Sequence, residues 1–392
     1  MNSEKTSVRE TQPRFRVEQL TEADAPALLP FLDRAFGFEP EKNGFLTFLP
    51  KLYRQEARPW EYNLAIRDPD TGALGAVLGM YPLTLCIAGR SLRCMALGNM
   101  AVDESLRGQG LMSALMRAAT ERIRSGQYEL AVLGGQRQRY ATFGFEPTGA
   151  DRVFRLSAAN FRHCFGGVAP DVTVRRAEGE GVIPILAALH DAQPVRAERN
   201  PACLPDILRS WGYEPWLAYR GEVPIGYFLR KENEIREPVL RDPEDLLPLL
   251  LASRPEKGDL LLTLSPWETG LCLRAAEIAE DVGRMQWEKF AVYRFTPVLQ
   301  ALLTLVASEQ PLDNGSLTVC VEDTGWAETL TVCVRDGVPS VRQSHDRPDL
   351  TLTYSDAMAF FFSDFSKART VCRNPLRWLF PLPLSLRMAD HA

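Results

Sequence analysis

What most constrains this chain is a strand, a glycine-bearing loop and a helix following one another without interruption between positions 95 and 125. Met95-Ala96-Leu97-Gly98-Asn99-Met100-Ala101-Val102 is an apolar run that reads as a strand, and Arg107-Gly108-Gln109-Gly110-Leu111-Met112 follows it. Leu111, Leu115, Ala119 and, one step off the stripe, Ile123 then recur at helical spacing beside Met112 and Met116, with Arg117, Glu121, Arg122 and Arg124 on the other side. Ser125-Gly126 supplies the stop, with Gly126 expected in the left-handed position that ends many helices. Such an order turns backbone amides toward one point in space. The first four amides of a helix lack intrahelical partners and the dipole places about half a positive charge there, so an anion such as a diphosphate is the natural ligand. Gly108 and Gly110 fit this use, because a Cβ would hold a phosphate off the backbone and a tight loop often needs φ > 0.

A second apolar strand, Leu130-Ala131-Val132-Leu133, runs into Gly134-Gly135, and Tyr140-Ala141-Thr142-Phe143-Gly144-Phe145-Glu146-Pro147 reads as a short helix and a turn. From Leu97 to Pro147 the chain resembles the acetyl-CoA-binding core of the GCN5-related N-acetyltransferases (GNATs). Their loop reads Arg/Gln-x-x-Gly-x-Gly/Ala, and Arg107, Gly110 and Met112 fall on its fixed places, Met112 departing from the usual small residue. The Tyr-x-x-Phe-Gly-Phe-x-Pro run, the chain length and the layout of the remainder are similar to the enhanced intracellular survival (Eis) branch. That resemblance covers nearly the whole chain.

The resemblance implies an α+β fold with tandem GNAT-like domains and a sterol-carrier-like third domain. The expected boundaries are 1–150 for the catalytic domain, 151–295 for a second GNAT-like domain without CoA, and 296–392 for the third. It implies acetyl-CoA as co-substrate and no metal, with the amides of Arg107, Gly108, Gln109, Gly110, Leu111, Met112 and Ser113 on the pyrophosphate. The backbone of Met100, Ala101 and Val102 would pair with the pantetheine arm and polarise the thioester carbonyl, while Gly135 and Gln136 line its other side. Tyr140 would be the general acid, and the α-carboxyl of Ala392, reaching back from the third domain, the base. The branch also implies a homo-oligomer, a hexamer.

Composition fits a soluble cytoplasmic protein. At 392 residues the chain exceeds what one core usually serves, and 45% hydrophobic with 24% charged residues is ordinary for a globular chain. A net charge of −5, with no run that combines clustered Lys and Arg with stacking aromatics, argues against nucleic acid as a partner and mildly favours a cationic substrate. No apolar run approaches the ~20 residues of a membrane span, and Met1 to Gln12 lacks the apolar core of a secretory signal. The eight cysteines form no Cys-x-x-Cys pair and no His stands at metal-ligand spacing. His163 and His190 read as surface or satisfied structural residues.

In chain order, Phe15 to Leu20 alternates as a strand, and Thr21 caps a helix whose Leu28, Leu29, Leu32 and Phe36 form a core stripe. Asp33 and Phe36-Gly37-Phe38-Glu39-Pro40-Glu41 either line an amine pocket or form an exposed helix end and turn. Strands at 62–67, 73–86 and 91–102, joined through Asp68-Pro69-Asp70-Thr71-Gly72 and Ala88-Gly89-Arg90, predict an antiparallel meander ending at the loop. The second unit repeats this grammar, but its helix is entered through Arg241-Asp242-Pro243-Glu244-Asp245, whose carboxylates would repel a diphosphate. Thr296-Pro297 is expected to start the first helix of the third unit. The apolar, proline-rich 378–384 is expected to dock on the body of the protein.

Several roles remain open on sequence alone. Tyr140 either protonates a leaving thiolate or packs with Phe143 and Phe145. Arg137 and Arg139 either contact CoA phosphates or are solvated helix charges. Met388-Ala389-Asp390-His391-Ala392 offers no aromatic anchor for its last residue, which leaves Asp390 or an ordered water as substitute bases. A non-catalytic CoA-binding protein and a lipid carrier are the competing functions.

Overall fold

The computed structural model describes residues 15–38 and 44–392. Asn63–Arg67, Leu74–Ile87 and Arg90–Val102 form the expected antiparallel meander, with Val17–Gln19 on its outer edge. Leu130–Gly134 lies parallel to Arg90–Val102, as a crossover through the helix Leu111–Ser125 requires. Side chains alternate across this sheet. Met95, Leu97, Ala131 and Leu133 face the helix Leu111–Ser125, while Cys94, Ala96, Leu130 and Val132 face a core that includes the helix Phe295–Glu309. Burial on both faces explains why the Leu130 strand is apolar throughout.

The sheet then continues with residues from beyond the first unit. Glu288–Val292 pairs antiparallel with Leu130–Gly134 and, on its other edge, with Glu146–Pro147, while Val195–Ala197 pairs with the end of Leu74–Ile87. In the other direction, Asp151–Leu156 enters the second, seven-stranded sheet between Leu260–Leu264 and Asp281–Met285. Val195–Ala197 and Glu288–Val292, both from the 151–295 stretch, therefore lie in the first sheet. A strand's alternation records which side chains are buried, not which sheet supplies its partner.

The third unit is a four-stranded sheet, ordered Val338–Gln343, Trp326–Arg335, Gly315–Asp323, Leu350–Thr353. Its first helix starts two residues earlier than an N-cap at Thr296 with Pro297 in the first turn would place it, and Arg294 is the N-cap. The Glu328 carboxylate accepts from the amides of Phe295 and Thr296 at 3.0 and 3.1 Å and from the Thr296 hydroxyl at 2.7 Å. The interior is filled by Phe295, Phe360, Phe361, Phe362 and Phe380, neighbouring rings lying 5.1–6.4 Å apart. Phe380, Leu382 and Leu384 dock as expected, whereas Trp378 stays exposed. In the first unit, Gly126 keeps a right-handed conformation and Gln127 takes the left-handed one (φ 57°).

The tail is held by charge rather than by an aromatic. Arg199 is the centre. Its guanidinium grips Asp390 at 2.7 and 2.9 Å and Glu237 at 2.6 and 3.1 Å, with all three side chains at most 5% exposed. Lys51 donates at 2.5 Å to the carbonyls of both Ala389 and His391. Glu288 accepts from the Ser385 hydroxyl (2.7 Å) and the Leu386 amide (2.8 Å), and Arg387 binds Glu268 at 3.0 Å.

Burial raises the Asp390 carboxyl, but the Arg199 guanidinium overrides it and holds the group down at about 2. Because the folded value lies below the unfolded one of 3.8, this pair stabilises above pH 4 and the contribution fades as pH falls toward 2. Arg199→Ala leaves two buried carboxylates uncompensated. Urea unfolding should show a loss of about 3–5 kcal/mol, and hydrogen exchange should rise at residues 387–391.

Candidate active site

The site begins at a bulge. Arg90–Val102 pairs with Leu74–Ile87 in register up to Gly79–Gly98 and resumes at Val77–Ala101, so Asn99 and Met100 stand opposite Leu78 alone. Asn99 takes φ 45°, and its Nδ2 donates to Asn63 Oδ1 at 2.8 Å. Asn63 Nδ2 in turn donates to the Pro59 carbonyl (2.7 Å) and the Tyr81 hydroxyl (3.2 Å), which points to Tyr53 at 3.4 Å. A Cβ on Gly79 would collide with the Asn99 side chain. Beyond the bulge the strand leaves its parallel neighbour, with which it pairs only from Cys94–Leu130 to Leu97–Leu133.

The gap holds two adjoining cavities. One, of about 520 Å³, is lined by Met100, Ala101, Val102, Leu106, Arg107, Gly108, Gly110, Leu111 and Met112. The loop glycines carry φ 78° and 83°, and a Cβ on either would meet nothing within 4 Å, so their backbone borders open space. Gly110 caps the fifteen-residue helix Leu111–Ser125 without a side-chain bond, and the first turn carries no acid. Free helix-start amides in a cradle lined by Arg107 and by no acid fit the diphosphate of CoA. Gln109 and Ser113 belong to this loop and helix but do not line the cavity, and Gln136 lines neither cavity.

The second cavity, of about 360 Å³, is bounded by Gly98, Asn99, Met100, Gly134, Gly135, Tyr140 and Ala392, and by an aromatic wall. Tyr140, Arg139, Met100 and Phe36 stand in both, and so form the neck between them. The Tyr140 ring lies against Gly135, where a Cβ would come within 2.8 Å of it. Burial raises the Tyr140 phenol and the Arg139 guanidinium pulls it partly back, a balance that keeps the hydroxyl protonated at neutral pH. Ala392 is seated at the far side. A Cβ on Gly98 would stand 2.6 Å from the Ala392 carbonyl carbon and 2.8 Å from its oxygen, so only glycine leaves room for the tail.

Of the residues expected from sequence, Tyr140, Ala392, Met100, Ala101, Val102, Arg107, Gly108, Gly110, Leu111, Met112 and Gly135 are brought together here. Asp390 is not, being locked on Arg199. Asp33 is also turned away, accepting from the Phe45 amide at 2.9 Å, and Glu39-Pro40-Glu41 lie outside the described residues. Arg137 is neutralised by Glu146 at 2.7 and 3.0 Å, whereas Arg139 is exposed at the neck. Phe36, placed by its spacing in a core stripe and also in the 36–41 piece that could line an amine pocket, is 49% exposed and lines both cavities, with Phe38 beside it in the second. Gly98, Asn99, Asn63, Trp211 and Trp287 were not legible as site residues, although a glycine inside a strand is the standard sign of close approach. Among the described residues no cluster could hold a metal ion and no helix is long and apolar enough to cross a membrane.

The family model for the acetyltransferase (GNAT) domain matches residues 16–148. Among solved structures, a GCN5-related N-acetyltransferase from Kribbella flavida is 19% identical with a TM-score of 0.63, the match covering 88% of this chain and 89% of that one. A GCN5-related N-acetyltransferase from Anabaena variabilis ATCC 29413 is 15% identical with a TM-score of 0.66, covering 90% and 91%. Eis1 from Mycobacterium abscessus is 14% identical with a TM-score of 0.66, covering 96% of this chain and all 100% of its own. At these identities the likeness is one of fold, and no curated protein sequence matches the chain. The family match falls on the bulged strand, the glycine loop and the helix that together enclose the cleft, and residues 16–148 of this chain are therefore an acetyltransferase (GNAT) domain.

Proposed function

We propose that this protein transfers the acetyl group of acetyl-CoA directly to a primary amine of a small molecule or a lysine side chain. The observation that carries the reading is the position of Tyr140 in both cavities, with Ala392 in the second. The Arg107–Ser113 amides hold the diphosphate. Past the bulge, the Met100–Val102 backbone has an edge free to pair with the pantetheine amides, and an N–H there polarises the thioester carbonyl. The α-carboxylate of Ala392 takes a proton from the amine as its nitrogen bonds to the acetyl carbon. The C–S bond breaks, and the Tyr140 phenol gives its proton to the departing thiolate. A phenol and a thiol are close enough in pKa for that transfer in a dry site.

The second unit, on this reading, binds no nucleotide. Its helix start is already served by a carboxylate, Asp242 accepting from the Glu244 amide at 3.0 Å, and Asp245 is paired with Arg220 at 2.8 Å. The third unit is read as sterol-carrier-like in layout and as a scaffold for the tail, since its phenylalanine-filled interior disfavours a lipid carrier. A hexamer is supported by the resemblance alone.

Tyr140→Phe should bind acetyl-CoA with unchanged heat in calorimetry while turnover falls about 10²–10⁴-fold. Full activity in that variant would show a packing role, and absence of heat with the native protein would remove the reading altogether. Gly98→Ala displaces the terminal residue, as does a short extension beyond Ala392. Both should lower kcat with CoA affinity kept, and a solvated base would leave both kinetically silent.

A further inference from the structure

The second cavity also constrains which amine can enter it. Phe36, Phe38, Phe45, Phe48 and Trp211 form a continuous wall of ring contacts, edge-on for Phe36–Phe45 (centroids 4.9 Å apart), Phe38–Phe45 (5.3 Å) and Phe48–Trp211 (5.0 Å) and tilted for Phe38–Phe48 (6.0 Å). Trp287 stands opposite and is 40% exposed. Its place follows from the exchanged strand, since Glu288 pairs with Gly134 and sets the preceding indole at the rim. Trp211 sits in the left-handed region (φ 66°), a strained choice for a bulky residue, and that conformation carries the indole against Phe48.

Charge is distributed with equal economy. Among the described lining residues the only acid is the terminal carboxylate at Ala392, and the one charged side chain is Arg139 at the neck. A polyamine or an aminoglycoside would bring several ammonium groups among described lining residues that supply one counter-ion and a fixed guanidinium. Each unpaired ammonium would be desolvated against aromatic carbon without compensation. One ammonium is different. It pairs with the carboxylate and gains from the ring faces, while its organic body covers the wall.

We propose that the acceptor is a hydrophobic monoamine, a primary amine carried on an aromatic or bulky apolar body, rather than a polycation. This rests on the acetyl-transfer reading of the same site. Thiol release from acetyl-CoA should be measured on the full-length protein with butylamine, hexylamine, 2-phenylethylamine, tryptamine, spermidine and kanamycin. KM should fall about fourfold per added methylene along the linear amines, as transfer of each CH₂ into an apolar site requires. The aromatic amines should exceed spermidine and kanamycin in kcat/KM by tenfold or more.

Phe48→Ala and Trp211→Ala should raise KM for 2-phenylethylamine roughly tenfold while leaving CoA affinity in place, each truncation removing a buried ring face. Spermidine or kanamycin as the better substrate would overturn the assignment and leave acetyl transfer standing. CoA release no faster with any amine than without would overturn both.

Discussion

The arrangement depends on one irregularity, the extra residue at Asn99. A parallel pair of strands in continuous register leaves no opening between them, because each backbone group is taken by the neighbour. Here Arg90–Val102 and Leu130–Gly134 hold register for four residues, and the bulge then re-aims the first of them. Both cavities lie in the opening that results. The polar chain from Asn99 through Asn63 to Tyr81 and Tyr53 lies behind it; Asn99 Oδ1 has no partner, but the directional bonds of the other amide and hydroxyl groups fix one geometry more sharply than apolar packing does.

The second cavity is assembled from distant parts of the chain. Phe36, Phe38, Phe45, Phe48 and Leu49 come from the first unit, Trp211 and Trp287 from the stretch after 151, and Ala392 from the last residue of the sequence. Strand exchange supplies the rigidity this requires. Glu288–Val292 is locked between two strands of the first sheet, so Trp287 cannot move without breaking a ladder. The tail has no ladder of its own, and its ion pairs stand in for one. Burying Arg199, Glu237 and Asp390 costs desolvation energy, which the attraction of the guanidinium overrides at Asp390, and the same pairing fixes where the tail lies.

Much of the fold was written in local pattern. The meander, the loop, the helix Leu111–Ser125 and the strands of the third unit follow from period, glycine placement and turn chemistry, because those signals are local and their physical causes are too. What escaped were contacts between segments far apart in sequence. Nothing near Thr296 tells that Glu328 will cap the helix, and nothing near Val292 tells that its strand belongs to the first sheet. The same holds at the site. Gly108, Gly110 and Tyr140 sit in recognisable local order, whereas Trp211, Trp287 and Gly98 acquire meaning only once the tail and the exchanged strand have arrived. Phe36 reads both as part of a core stripe and as part of the 36–41 piece beside an amine pocket, since helical spacing tells which side chains share a face and not whether that face meets protein or a cleft.

Two residues at the cavity, Asn99 and Trp211, hold left-handed backbone conformations without being glycine. Asparagine tolerates this region and has Asn63 to bind, so its cost is small. For Trp211 the cost is about 1–3 kcal/mol, and surrounding structure must over-determine it. That structure is visible. Gly212 follows at φ 74°, the Lys231 ammonium donates to the Trp211 carbonyl at 3.2 Å, and the Phe48 edge closes on the indole. A smaller residue would relax the backbone and fill less of the wall. The strain is therefore best understood as the cost of bringing a large flat side chain from the second unit to a surface that the first unit cannot complete by itself.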